Sequence, residues 1–377
     1  MINKRRLINT FKQLVRIDSL SLREGAINKF LKHELRALGL RAREVGRVRG
    51  GEAGSLVAFL PGRDMTKPCL LLNAHTDTVS PGRRIKPVEK NGVIRSDGKT
   101  VLGADNKAGV AAILEIVRTI GEKKLPHPPL RVIFTAAEEI GLNGAKALPD
   151  KYLKADFGLA LDGGEIAEVI NRAPSQYSLT AGITGRAAHA GLHPEDGINA
   201  IKVASEALAR MKVGRIDSET TANIGLIKGG QATNIVPAEV ELRGEARSHN
   251  AAKLDRQVKH MERTLLKACR KYRARLNLKV ERAYKSFVIK EDNKFLAFVL
   301  ASFRRSGLKP VVKRTGGGSD ANIFNERGVP SIILGVGADK VHTLQENIRT
   351  GDLVKGTENA LSVILGVAAW PSLRKKK

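Results

Sequence analysis

The sequence predicts an α/β protein, a sheet with helices on both sides, interrupted by a smaller α+β segment. Three features carry that reading. Strand-like apolar runs alternate with amphipathic helical stretches up to about residue 173 and again after 290. The run Cys69, Leu70, Leu71, Leu72, Asn73, Ala74 is almost continuously apolar, as a strand covered on both faces must be. Between the two α/β stretches, residues 174–288 change texture: their extended segments alternate polar and apolar positions, as strands with one wet face do. The expected domains are 1–173 with 289–377, and an insertion at 174–288.

In chain order, Leu7, Phe11, Leu14 and Val15 form an amphipathic pattern behind a basic start. Ile27, Phe30, Leu31, Leu35 and Leu38 make a helical stripe, with Gly39 where a C-terminal cap belongs. Residues 55–60 read as a strand closed by Pro61-Gly62, and 69–74 as the buried strand. A helix over 108–120 separates these from strands at 130–135 and 157–161. In the insertion, 177–184 is a strand, and Ile198, Ile201, Ala204, Leu208 and Met211 mark a helix. Two strand-like stretches follow, around 221–227 and 238–246. Leu254, Val258, Met261, Leu265 and Ala268 are then the apolar stripe of a long basic helix, and 276–287 is extended. The order strand–helix–strand–strand–helix–strand is that of a small α+β sandwich. A helix through Leu296, Val299, Leu300 and Phe303 and an apolar strand at 331–335 resume the first domain.

Composition narrows the function classes. At 377 residues the chain exceeds what one core of about 250–300 residues fills. A 42% apolar content in periodic segments excludes a disordered chain. Cys69 and Cys269 are too few and too far apart for a disulfide scaffold, and are expected reduced, as in a cytoplasmic protein. No apolar stretch approaches the ~20 residues of a membrane span, and the basic N-terminus leads into an amphipathic pattern, unlike a secretory signal. The formal charge of +27, from 65 Lys+Arg against 38 Asp+Glu, invites a nucleic-acid reading. The cations are widely spread, however, densest at 41–49, 253–282 and in the tail Arg374 to Lys377, with no aromatic residues interleaved for base stacking. A solvated basic surface with no specific nucleic-acid partner is the expectation; adhesion to polyanions would be weak and salt-sensitive.

The chemistry-bearing residues follow the strands. His75-Thr76-Asp77 follows the 69–74 run, Glu138-Glu139 follows 130–135, Asp162 follows 157–161, and His342 follows 331–335. Asp105 precedes the helix over 108–120. In an open α/β sheet the carboxyl ends of the strands share one edge, where ligands bind. Two histidines and several carboxylates would meet there, and carboxylates so clustered repel unless a cation compensates them. An oxygen–nitrogen donor set of this kind suits Zn, Co or Mn. One ion needs three or four donors; five point to two ions, bridged by one carboxylate and a water. Neighbouring Glu138 and Glu139 point different ways, so one can ligate while the other faces the water as general base. Asp77 is placed to fix His75 through its second ring nitrogen. Thr315-Gly316-Gly317-Gly318-Ser319-Asp320 could let backbone N–H groups of Gly317 and Gly318 approach a substrate, or form a structural turn.

These residues, His75-Thr76-Asp77-Thr78-Val79, Gly103-Ala104-Asp105-Asn106-Lys107-Ala108-Gly109, Thr135-Ala136-Ala137-Glu138-Glu139-Ile140-Gly141, Asp162-Gly163 and His342-Thr343, resemble the motifs of the M20 metallopeptidase family. They are most similar to its peptidase T-like, tripeptidase branch. The resemblance implies a zinc-peptidase-like catalytic domain with a central mixed sheet, and a dimerisation domain at 174–288. It implies that His75 and Asp162 hold one metal and Glu139 and His342 the other, with Asp105 bridging, Glu138 the general base and Asp77 the partner of His75. Gly185-Arg186-Ala187-Ala188-His189-Ala190-Gly191 resembles the loop whose histidine reaches the site of the partner subunit in a homodimer. Asn234 and Arg247 lie in segments resembling those that contact substrate polar groups.

The expected activity is hydrolysis of small-peptide amide bonds, in a tripeptidase or aminopeptidase manner. An amidase or deacylase of N-acyl amino acids shares the motifs. A non-catalytic peptide- or nucleic-acid-binding protein is the reading of another class, against which the intact Glu138 and full ligand set argue.

Overall fold

The computed structural model describes residues 1–371; the basic tail Arg374 to Lys377 lies outside the described residues. The chain forms two compact units, one from Met1–Ala173 and the chain from Phe287 onward, the other Pro174–Ser286. Phe287 and Val288, expected in the insertion, pair antiparallel with Ala173 and Arg172 of the first unit.

The first unit is built on a nine-stranded mixed sheet. Along it run Arg43–Val45, Ser55–Leu60, Leu130–Thr135, Leu70–His75, Phe157–Gly163, Ser331–Gly335, Glu168–Ala173 and Phe287–Val288, with Val311–Arg314 beside Glu168–Ala173. The four strands from Leu130–Thr135 to Ser331–Gly335 are mutually parallel, so their carboxyl ends share one edge. All six residues of Leu70–His75 are buried. Alternation explains how: Leu70, Leu72 and Ala74 join the core with helix Ala104–Glu122, while Asn73 on the opposite face reaches Asp320 at the start of helix Asp320–Glu326. Helices Lys4–Val15 and Thr350–Val367 pack against Ala104–Glu122. Burying Leu7, Phe11 and Leu14 of Lys4–Val15 stabilises by about 1.5–3 kcal/mol per side chain.

A second, four-stranded sheet in this unit joins Ala338–Asp339, Asn347–Arg349, Val93–Arg95 and Val88–Lys90. Its strands have two or three residues each, too short for hydrophobic alternation to mark them in the sequence.

The second unit is an antiparallel sheet ordered Gly214–Arg215, Thr220–Gly229, Glu239–Ser248, Ser175–Thr184, Arg275–Tyr284. Apart from the two-residue edge strand, its chain order is the one expected. Helices Ala200–Arg210 and Ala251–Tyr272 bury Val203, Ala204, Leu254, Met261 and Leu265 against Leu179, Ala181, Ile183 and Leu242. Both helices begin on an asparagine whose side chain accepts from the third helical amide, Asn199 from Lys202 and Asn250 from Lys253. Arg256, Lys259, Arg263, Lys267 and Arg270 fall on the exposed face of the longer helix.

Both cysteines are buried. Among the described residues no helix is long and apolar enough to cross a membrane.

Candidate active site

Parallel strands deliver the site. His75 is the last residue of Leu70–His75, Asp162 lies in Phe157–Gly163, and Glu138 and Glu139 lie in the turn leaving Leu130–Thr135. His342 follows Ser331–Gly335, and Asp105 sits in the first turn of Ala104–Glu122, where its backbone leaves helical geometry.

Five donors converge. His75 Nε2 lies 3.0 Å from Asp105 Oδ1 and 3.5 Å from Asp162 Oδ1. His342 Nε2 lies 3.1 Å from Glu139 Oε1 and 3.3 Å from Asp105 Oδ2. Asp105 therefore faces a different imidazole with each oxygen. Ligand atoms of His75, Asp105 and Glu139 all fall within 4.8 Å of one another, compact enough for a metal ion. A cavity of about 570 Å³ lies beside Asp105, Asn106 and Asp162 and is also lined by Arg95 and Arg349.

Buried side chains set this geometry. Glu346, with 1% exposure, accepts from the amides of Leu102 and Gly103 with one oxygen and from that of Asp105 with the other, at 2.7–3.0 Å. Asn106 Nδ2 donates to Asp162 Oδ1 at 2.9 Å, and Ser319 Oγ to Asp162 Oδ2 at 2.7 Å. Asp320 accepts from Thr135 Oγ1 and from Asn73 Nδ2. Nδ1 of His75 lies 3.2 Å from the backbone oxygen of Asp77 and 3.4 Å from its Oδ1. The carboxylate of Asp77 also accepts from the amides of Glu138 at 3.0 Å and Glu139 at 3.1 Å and from Ser21 Oγ at 2.7 Å. Lys107, also 1% exposed, donates to Thr78 Oγ1.

Crowding shows in the charges. Burial works against a charged His75, yet the Glu138 charge and bonds to Asp105, Asp162 and Asp77 hold its pKa well above the ordinary value. Bonds to Asp105 and Glu139 push His342 up to about 10. Burial raises Glu138 well above a usual carboxyl, with the charges of Asp162, Asp320 and Glu139 adding to it. Burial likewise raises Glu139 and Asp162. Asp105 is lowered: its burial is outweighed by the bonds from His342 and His75. Burial brings Lys107 down to about 8 despite the pull of Asp77, Glu346, Glu139 and Asp105.

The other candidates divide between the units. Gly317 lies in the first, and its amide already donates to Thr315 Oγ1 at 3.1 Å; Gly318 is the next residue, just before the cap Ser319. His189, Asn234 and Arg247 belong to the second unit. His189 is exposed, bridges to Ile235, and its Nδ1 accepts from the amides of Gly191 and Leu192 at 3.2 and 3.1 Å. With Nδ1 accepting, the neutral ring carries its proton on Nε2. The carbonyl of Asn234 accepts from Ala190 at 3.0 Å, so these two loops are neighbours. Arg247 grips Glu245 with two nitrogens, at 2.8 and 3.0 Å.

Glu346 was not among the residues singled out in the sequence, and Ser319 and Asp320 entered only as the end of the Gly317-Gly318 segment. Each acts on the site from a segment carrying no metal-ligand motif, and only Glu346 lay close to one, four residues after His342.

Comparison with known proteins bears on this arrangement. The chain matches peptidase family M20/M25/M40 over residues 71–365. The Bacillus subtilis protein YqjE is 39% identical over 97% of this chain and 99% of its own length. The crystal structure of a tripeptidase from Staphylococcus aureus is 41% identical, with TM-score 0.90, covering 98% of this chain and 100% of that one. The structure of the aminopeptidase PepT from Bacillus cereus is 39% identical, with TM-score 0.83, covering 97% and 99%. Fold and site together define a hydrolase of the metallopeptidase class, an α/β unit with a histidine–carboxylate cluster at its sheet edge. The chain belongs to peptidase family M20/M25/M40.

Proposed function

We propose that this protein is a dinuclear, metal-dependent aminopeptidase of small peptides, tripeptides foremost. The observation that carries this is the position of Glu138, a carboxyl 8% exposed in the turn beside five convergent donors, in a chain 41% identical to a tripeptidase of Staphylococcus aureus. A structural ion pair needs no such acid, whereas a general base does.

The donor set fits divalent cations. His75 and Asp162 would hold one ion and Glu139 and His342 the other, with Asp105 shared between them, since its two oxygens already face the two imidazoles. Zinc suits these donors, with cobalt and manganese as alternatives. When bound, such ions lower the pKa of a water and polarise a carbonyl. Glu138 takes the proton of the attacking water and returns it to the leaving amine. Asp77 fixes Glu138 and Glu139 by their amides. His189, with its Nε2–H free to donate, suits the developing oxyanion, and Asn234, Arg247 and the Gly317-Gly318 amides suit substrate polar groups.

Cation uptake and protonation oppose each other here. His75, His342, Glu138, Glu139 and Asp162 all have raised pKa values, so each holds its proton to higher pH than usual, and an imidazolium cannot ligate. Metal affinity is therefore expected to rise with pH across the neutral range. Calorimetry in buffers of different ionisation enthalpy should record proton release on binding; zero release would contradict the assigned ligands.

We further propose a cytoplasmic homodimer in which His189 serves the site of the second copy. Mixing His189→Ala and Glu138→Ala proteins, each nearly inactive, should restore up to about a quarter of native activity once subunits exchange, by random pairing of the two defects. Exchange without recovery would show that each subunit uses its own His189.

The reading itself is tested by turnover of a free tripeptide, a dipeptide and an N-acetyl amino acid with Zn, Mn or Co. The tripeptide should be cleaved fastest. Preference for the N-acetyl amino acid would make the protein an amidase, and turnover of none would leave a binding protein.

A further inference from the structure

The turn carrying Glu138 and Glu139 is held from outside itself. Four successive amides donate to side chains of three distant segments: Ala136 to Ser55 Oγ at 3.3 Å, Ala137 to Glu24 Oε1 at 2.9 Å, Glu138 to Asp77 Oδ1 at 3.0 Å, and Glu139 to Asp77 Oδ2 at 3.1 Å. A row of backbone N–H groups of this kind is a nest for anions, filled here by the protein's own carboxylates. The turn needs the help. Ala137 has φ +52°, a left-handed conformation that an alanine adopts only at a cost. On its far side the turn closes on itself, with the amides of Gly141 and Leu142 donating to the Glu138 carbonyl.

Glu24 is the carboxylate in this arrangement that no metal motif explains. It is fully buried, precedes helix Gly25–Ala37, and is 113 residues from Ala137 in sequence. Its Oε1 also accepts from the amide of Leu22 at 3.0 Å, so one atom ties the entry of that helix to the catalytic turn. A buried carboxyl is expensive and survives only where its bonds matter. A helix N-terminus could have been capped by a serine or asparagine at the surface.

We propose that Glu24 is a positioning residue: by accepting from the Ala137 amide it fixes the strained residue just before Glu138 and so aims the general base. The inference rests on Glu138 being that base. Glu24 touches neither substrate nor any of the five metal donors. It acts through the direction of the Glu138 side chain, and should appear in kcat rather than in KM or metal content.

Reach and charge can be separated. Glu24→Gln keeps an oxygen at full length and loses the charge. Glu24→Asp keeps the charge and withdraws the oxygen by one methylene. Positioning predicts near-native kcat for Glu24→Gln and a fall of tenfold or more for Glu24→Asp, with KM within about threefold and metal stoichiometry unchanged. Hydrogen exchange at the amides of Ala137 and Glu138 should accelerate in Glu24→Asp and stay native-like in Glu24→Gln, a readout that needs no activity and stands even if Glu138 is not the base. Equal kcat and equal exchange in Glu24→Asp and the parent protein would overturn the proposal, as would Glu24→Gln falling as far as Glu24→Asp. Native turnover of Glu138→Gln would instead sink the underlying assignment of the base. Should Glu24→Asp fail to fold, Glu24→Ala, which offers the Ala137 amide no acceptor, takes its place, and native exchange and kcat there would overturn the proposal.

Discussion

Glu138→Gln is expected to retain its metal and lose about 10²–10⁴-fold in kcat, the usual worth of a positioned general base. The substitution is nearly isosteric. The Glu138 backbone stays held by Asp77 and the turn by Glu24 and Ser55, so the donors around it keep their places. What goes is the ability to take a proton from water and pass it to the amine. A tenfold change corresponds to about 1.4 kcal/mol, so the expected loss is about 3–5 kcal/mol of barrier. KM should change little, because a general base acts on the attacking water and not on the resting substrate. Steady-state kinetics with metal analysis of the same sample checks this. A variant with full metal and more than a tenth of native kcat would move the base elsewhere.

Asp105→Ala is expected to lose metal as well as rate. Asp105 is the carboxylate that approaches both imidazoles, at 3.0 and 3.3 Å, so its removal takes a donor from both proposed ions. The backbone should hold, because Glu346 binds the amides of Leu102, Gly103 and residue 105 itself, contacts that no side-chain change at 105 removes. The two histidines would then face Asp162 and Glu139 singly, and their pKa values should fall toward ordinary ones with the carboxylate gone. The expected outcome is at most one equivalent of metal per chain after gel filtration, and kcat at least a thousandfold down. Two equivalents retained with kcat within tenfold of native would remove Asp105 from its bridging role.

The legibility of this protein follows from the range over which each signal acts. Apolar periodicity is local, so Leu70–His75, Leu130–Thr135, Phe157–Gly163 and Ser331–Gly335 were visible as strands without any tertiary knowledge. The rule that parallel strands share a carboxyl edge then placed His75, Glu138, Glu139 and Asp162 together, and the structure has them there. The three-residue strands Val88–Lys90 and Val93–Arg95 were too short to be visible, and Glu168–Ala173 was not visible because Glu168, Asn171 and Arg172 break both an apolar run and a strict alternation.

Asp77 shows how far such reading goes. Its nearness to His75 was readable from two residues' separation. That both its oxygens would hold the amides of Glu138 and Glu139 was not, since those bonds span 61 and 62 residues and involve backbone groups with no sequence signature. The same applies to Glu24 on Ala137 and to Glu346 on Asp105, 113 and 241 residues apart.

Alone, then, the sequence determined which side chains can ligate or transfer a proton, and on which strands they ride, because both depend on residue type and short-range pattern. Only the tertiary structure decided which buried carboxylates hold the loops beneath them. A hydrogen bond from a side chain to a distant amide exists only once packing has brought the two within about 3 Å and excluded the water that would otherwise take its place.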